Sequence, residues 1–495
     1  MTSPSPTRPR LVVIGGGIAG LAAAWSAHEE GAEVLLLEAS PKVGGKARTR
    51  RADGWTFEEG PTGFLSGEPV IDSLIERAGL VAVEADPAAA RRYVVRGGRA
   101  REIPTSPPRF LLSGILSPAG VLRFLREPWV RARRDGDESV WDFAERRLGV
   151  QVAERLIAPM VLGVFAGDAR RLSLPAAFPR MRELEAEHGS LIRAMLRLSK
   201  ERKSGRAGGP AGPAGKLHSF AEGMQALPIA LAERAPFEVR TAAPVTAIAR
   251  GDDHWRLSVA DAAESVVADA VVLATESDTS ARLVAPHLPE VARELEAIPS
   301  PGLAVVGLHY DSPRSIGALP VGFGALIPRG EELRTLGCLF DTQLFAGRAP
   351  AGRALVRCMI GGATDPEASG LAPDELARIA ADDVARLFGL PDPPVAHQVT
   401  RWQRAIPQYE LGHLDRVGRI EAALDGFRAR TPGLYLAGNF AHGVAFGKVA
   451  RQGWQVGAAA ALARTQAARA GEPPTVESGP PIEVSGAGPE EAAPN

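Results

Sequence analysis

Gly15, Gly17 and Gly20 stand at G-x-G-x-x-G spacing directly after the apolar run Leu11–Ile14, and Glu38 closes the next apolar run, LLLE. The chemistry this pattern serves is the grip on a pyrophosphate. The first glycine permits a tight turn, the second lets main chain approach the phosphates, and the third allows close packing of helix on strand. Ile18, Leu21, Ala22 and Trp25 recur at helical spacing, so the free N–H groups and positive dipole end of that helix face the same anion. The Glu38 carboxylate is expected to accept both ribose hydroxyl protons and to repel a 2′-phosphate, which points to an adenine dinucleotide other than NADP. In the next segment, PKVGGKART (Pro41–Thr49), Gly44 and Gly45 let a second loop close over the phosphates, and Lys46 or Arg48 is expected to neutralise them. This second loop favours FAD over NAD.

The elements that must position these residues are spread along the chain. At 495 residues it exceeds the size at which one core keeps growing, so two or three domains are expected. DAVVLAT (Asp269–Thr275) reads as a buried strand ending in small residues, and TPGLYLAGN (Thr431–Asn439) as another, followed by Gly438 and a helical stretch. In place of the acid often found there, Asn439 offers a hydrogen bond to a ribityl hydroxyl without added charge. The expected fold is α/β: a discontinuous Rossmann-like dinucleotide domain from residues 8–85, 216–278 and 404–466, with a mixed α+β substrate domain at 279–403. Residues 90–200 read as a helical insertion, 201–215 as a Gly/Pro-rich flexible loop and 467–495 as a disordered tail.

Composition narrows the function further. A net charge of −1 offers no basic excess for nucleic acid. The two cysteines, Cys338 and Cys358, lie in no metal or disulfide pattern and are expected to pack as small apolar residues, so no metal site is expected. No apolar signal core precedes the first strand, which points to the cytoplasm, and no apolar run reaches the ~18 residues of a spanning helix. Within FLLSGILSPAGVLRFLREPW (Phe110–Trp129), arginines interleave with large apolar residues, which fits either amphipathic helices on a small core or a surface resting on a bilayer.

Four further segments, GVFAGDARRLSLPAAFP from Gly163, SFAEGMQALP from Ser219, GFGALIP from Gly322 and IPQYELGHL from Ile406, make the chain resemble the oxygen-dependent protoporphyrinogen oxidases of the HemY type. The resemblance runs from about residue 10 to 465. It implies a p-hydroxybenzoate-hydroxylase-like FAD domain, O2 as electron acceptor, a tetrapyrrole substrate, a peripheral membrane contact and a homodimer. Residue by residue it implies cofactor contacts at Gly15, Gly16, Gly17, Ile18, Ala19, Gly20, Glu38, Ala39, Gly44, Gly45 and Lys46. It adds Gly60, Pro61, Val245, Ala274, Gly438, Asn439, Gly443, Val444 and Ala445. Arg92 matches the arginine that pairs a propionate, which a guanidinium grips with two parallel donors. Phe323, Leu326 and Met359 match apolar residues that sandwich the macrocycle, and Gly163 matches a position where main chain runs close to the reacting methylene. By residue type alone Arg92 is a surface charge, and the three apolar residues are core. Protoporphyrinogen and coproporphyrinogen both stay open as substrates, as do a desaturase or amine oxidase on the same scaffold and a flavin protein without turnover. One departure stands out: GVAFGKVARQG carries Lys448 and Val449 where the family has Asp and Cys. Lys448 is expected either to lie near the flavin or to point to solvent. His413, inside IPQYELGHL, is expected to be a hydrogen-bonded structural residue.

Overall fold

Leu11–Ile14 does form a buried parallel strand, and its neighbours explain why both faces had to be apolar. In this computed structural model, which describes residues 8–133, 136–203 and 216–470, Arg10–Ile14 is the centre of a five-stranded sheet. Glu33–Leu37 and Ala270–Leu273 flank it, with Glu238–Arg240 and Leu434–Leu436 outside them, all parallel. One face packs on the helices Ile18–Glu29, Pro69–Ala78, Ala226–Glu233 and Phe446–Ala470. The other packs on an antiparallel trio (Val245–Arg250, Trp255–Val259, Val266–Ala268) and on the helices Ser277–Val284, Pro289–Glu296 and His413–Arg428. Helix Ile18–Glu29 is apolar around its whole circumference because every residue from Ile18 to Ala27 is buried between sheet and C-terminal helix. Ser277–Val284 and Pro289–Glu296 therefore belong to this layer, although the sequence placed residues from 279 onward in the substrate-facing part.

A seven-stranded sheet forms the second body. Its order is Ala396–Trp402, Leu303–Tyr310, Ala354–Gly361, Thr335–Phe340, Gly324–Leu326, Arg92–Arg96 and Arg99–Glu102, antiparallel except where Gly324–Leu326 runs parallel to Arg92–Arg96. Alternation sorts its side chains. Tyr93, Val306, Cys338, Val356, Cys358 and Ile360 face helix Pro373–Phe388 in a closed core, where the two cysteines lie opposite each other as free thiols. Arg92, Leu326 and Met359 lie at the intervening positions and point to the other face.

Helices between Pro107 and Lys203 make the third part, so the expected helical insertion is preceded by the two strands at Arg92–Glu102 rather than beginning at residue 90. Beside its apolar core, which includes Trp141, Phe143 and Phe165, it buries a charged cluster: Arg147, fully buried, pairs with Glu127 and lies 3.5 Å from Glu185. Residues 201–203 continue the helix Leu191–Lys203 instead of starting a loop, and the rest of that expected loop lies outside the described residues. Residues 467–470 of the expected tail belong to the last helix, which reaches Ala470, and residues 471–495 lie outside the described residues.

Candidate active site

The glycine turn is built as its spacing demands. Gly15 has φ +111°, and its N–H bonds Leu37 O at 2.8 Å, so the turn sits at the carboxyl ends of the parallel strands. A Cβ on Gly20 would come within 1.8 Å of Gly15 O, which is the close helix-to-strand packing required of the third glycine. Gly45 faces Gly17 so closely that a Cβ on it would lie 3.2 Å from the Gly17 Cα. The two glycine loops therefore meet main chain to main chain, held by Gly44 N–H on Gly16 O at 2.8 Å. Glu38 is buried at the end of its strand, where Oε2 accepts from Gly16 N–H at 2.6 Å and Oε1 from Ser40 N–H at 2.7 Å. These bonds orient the carboxylate and leave each oxygen a second lone pair for a ribose hydroxyl.

The cations expected over the phosphates have protein partners. Lys46 Nζ lies 2.9 Å from Glu276 Oε1. Arg48 Nε lies 3.8 Å from Glu59 Oε2, and its guanidinium sits 5.2 Å from the Trp402 ring centre. Ala39 and Ala274 follow strands two and four of the parallel sheet in chain order, and Val245 opens the antiparallel trio behind it. Lys448 is exposed, with its pKa lowered by partial enclosure and by neighbouring Arg451. Its stem covers Gly443, whose Cβ would fall 2.8 Å from Lys448 Cδ.

The segment Glu58–Thr62, which contains Gly60 and Pro61, is clamped onto the open face of the seven-stranded sheet. Arg357 Nη1 donates to Glu58 O and to Gly60 O, both at 3.0 Å, while Nη2 reaches Thr62 Oγ1 at 2.6 Å. Its own charge is met by Asp341, with Nε 2.9 Å from Oδ2, and both side chains are buried. Trp402 Nε1 donates to Glu59 O at 2.7 Å, and Arg348 lies 3.2 Å from the Glu58 carboxylate. Burial pushes the Glu58 carboxyl up, against the pull of Arg348 and of the Thr49 hydroxyl. Reasoning from residue type passed over Arg357, although a lone arginine within the apolar strand ALVRCMIG is the signal that marks a buried ion pair.

Two residues further along the same strand lies Met359, opposite Gly337, which in turn pairs with Leu326. Leu326 and Met359 thus flank a position that carries no side chain, on one face of the sheet. Helix Ala158–Phe165 crosses above it: a Cβ on Gly163 would lie 2.6 Å from Leu326 Cδ2. Arg92 is two residues from the Leu326 row, exposed, with its guanidinium 4.9 Å from the Phe323 ring centre. Among the described residues Arg92 has no carboxylate partner. The structure therefore gathers Gly163, Leu326 and Met359 around Gly337, and sets Arg92 on Phe323 two residues along the same strand pair.

IPQYELGHL turns inward. The Tyr409 hydroxyl donates to Asn439 O and accepts from Gly443 N–H at 2.9 Å. His413 stacks on the Tyr409 ring, with centroids 4.1 Å apart, and its Nε2 lies 3.3 Å from Ala441 O. Burial lowers the His413 pKa to about 4, so the ring is neutral and structural. Gln408 Nε2 donates to Phe165 O at 2.8 Å.

Residues 18–461 match the family of flavin containing amine oxidoreductases. A chloroplastic protoporphyrinogen oxidase of Oryza sativa is 34% identical over 462 residues, covering 88% of this chain and 85% of that one. The coproporphyrinogen III oxidase of Bacillus subtilis is 29% identical, covering 89% and 95%. A solved structure from Exiguobacterium, provisionally named a protoporphyrinogen oxidase, superposes with a TM-score of 0.80 at 26% identity, over 92% of this chain and 100% of that one. The chain belongs to the flavin-containing amine oxidoreductase family and, within it, to the protoporphyrinogen oxidases. The facing glycines Gly17 and Gly45 and the buried, oriented Glu38 fit the dinucleotide part of such a flavin.

Proposed function

We propose that this chain is an FAD-dependent oxidase that converts protoporphyrinogen IX to protoporphyrin IX, with O2 as acceptor and hydrogen peroxide as product. The observation that carries the reading is Arg92, a guanidinium without a carboxylate partner among the described residues, stacked on Phe323 beside the apolar face of Leu326 and Met359. A macrocycle with carboxylate arms needs such a combination: a flat apolar wall and a fixed cation at its rim. Gly163 lets its helix main chain come close to that wall, since a side chain there would strike Leu326. When bound, FAD supplies the hydride acceptor, and the chain contributes orientation, exclusion of water and electrostatics. Gly15–Gly20, Glu38, Gly44, Gly45, Gly60 and Pro61 hold the dinucleotide in this reading, and Gly438, Asn439 and Gly443–Ala445 face the ring system.

Protoporphyrinogen is favoured over coproporphyrinogen by charge. The Arg357 guanidinium on the same sheet face is neutralised by Asp341 and committed to the Glu58–Thr62 segment, so it offers nothing to additional propionates. The reading includes a cytoplasmic location, a homodimer on the family resemblance, and peripheral contact with a membrane. Among the described residues no helix is long and apolar enough to cross one. Leu112, Leu122 and Trp129, 87%, 55% and 78% exposed, supply an apolar surface near Arg109 and Arg126 for a contact of the interfacial kind.

The test is direct. The purified protein is expected to be yellow and, in air, to raise porphyrin fluorescence from protoporphyrinogen IX above the uncatalysed rate, and more strongly than from coproporphyrinogen III. A yellow protein that leaves both backgrounds unchanged overturns the assignment in favour of binding without turnover.

A further inference from the structure

The segment Ile406–His413 is tied to two parts of the molecule that hydride transfer would need in register. On one side Gln408 donates to the carbonyl of Phe165, the last residue of the helix that carries Gly163. The edge of Phe165 also meets the Tyr409 ring, with centroids 6.1 Å apart. On the other side, Tyr409 and His413 reach main chain at Asn439, Ala441 and Gly443. That loop has no helix or strand of its own between Leu436 and Phe446. Its shape therefore depends on side chains that bond its main chain: Gln452 at Gly438, 3.1 Å away, then Tyr409 and His413. The Tyr409 hydroxyl is buried and uses both its donor and its acceptor capacity, and burial raises its pKa, so it holds the proton that the bond to Asn439 O requires.

We propose that Tyr409 is a positioning residue whose hydroxyl, backed by His413 and Gln408, sets the loop Gly438–Ala445 at a fixed separation from the Gly163 helix. The proposal rests on assigning that loop to the flavin ring, and not on the identity of the substrate. Holding hydride donor and acceptor to a fraction of an ångström is worth large factors in rate, and a single bridging run is an economical way to do it. Tyr409→Phe keeps the ring stack and removes only the hydroxyl.

In the flavin-loaded protein, Tyr409→Phe is expected to shift the visible circular-dichroism bands of the flavin and to speed amide exchange at Gly443 by about tenfold or more. With substrate, flavin reduction is expected to slow by about tenfold while KM stays within about twofold. Tyr310→Phe serves as the comparison, because Tyr310 is buried in the seven-stranded sheet and its hydroxyl has no hydrogen-bond partner among the described residues; it is expected to move none of these. Wild-type dichroism and exchange in Tyr409→Phe would show the ring to be packing alone and overturn the proposal. Should that variant fail to fold, His413→Gln takes its place: a shift in the same two spectroscopic readouts supports the bridge and its absence overturns it. Neither readout needs a porphyrinogen, so a wrong substrate assignment would leave them intact.

Discussion

Arg92 shows how little of a residue's role is carried by its type. It lies on a strand whose alternate residues, Tyr93 and Val95, are buried, and by type it belongs among surface charges. What distinguishes it is company: the Phe323 ring under the guanidinium, and no carboxylate near enough to neutralise it among the described residues. A charge-assisted, bidentate contact of this kind contributes about 1.5–3 kcal/mol. Arg92→Ala is therefore expected to lower kcat/KM for protoporphyrinogen by roughly 10- to 100-fold, chiefly through KM, with Arg92→Lys in between. Steady-state kinetics on the three proteins checks this, and an unchanged KM in Arg92→Ala would remove the propionate role.

Among the elements, the C-terminal helix Phe446–Ala470 and the helix Ile18–Glu29 pack at glycine-mediated close range. A Cβ on Gly453 would fall 2.1 Å from Ala19 O, and one on Gly457 2.1 Å from Ala23 O, so main chain packs on main chain over about one helical turn. That contact ties the Gly443–Ala445 loop, through the helix that follows it, to the helix whose N-terminus serves the pyrophosphate. Gly457→Val is expected to cost about 1–3 kcal/mol by overpacking. It should also loosen the cofactor, and both effects are measurable as a lower denaturation midpoint and a faster release of flavin on dilution. A midpoint equal to wild type would mean that the two helices separate without penalty.

At the scale of the whole molecule, two buried imidazoles couple stability to pH. Burial lowers both His309, stacked on Trp55 in the sheet, and His413 to about 4. Each is neutral in the folded protein and takes up its proton near 6.5 only when unfolded. Their contribution is complete above about pH 6.5 and is lost as pH falls toward 4, at about 1.4 kcal/mol per unit of displacement, on the order of 3 kcal/mol for each ring. Urea denaturation at pH 7 and pH 5 is expected to show a clear loss at the lower pH, smaller in His413→Gln. An equal loss in the two proteins would place the His413 proton uptake elsewhere.

The cofactor half was legible because its constraints are local: a tight turn, a helix N-terminus and an acid one strand away are read within about thirty residues, and Gly15, Gly20 and Glu38 stand where that reading put them. The substrate-side residues Arg92, Gly163, Phe323, Leu326 and Met359 were named only through the family motifs, and their roles are part of the proposed function. Lys46 and Arg48 meet Glu276 and Glu59, partners that local reading did not foresee; the Lys46–Glu276 pair joins segments far apart in the chain and leaves no mark on either one. It also passed over Arg357, Trp402 and Tyr409, which join parts of the chain tens to hundreds of residues apart. Spacing along the chain determines which groups can cradle a phosphate, since the turn itself brings them together. Which guanidinium is spent inside the protein and which is left for a ligand is decided only when the sheets are stacked, because neutralisation depends on what lies within a few ångströms in space.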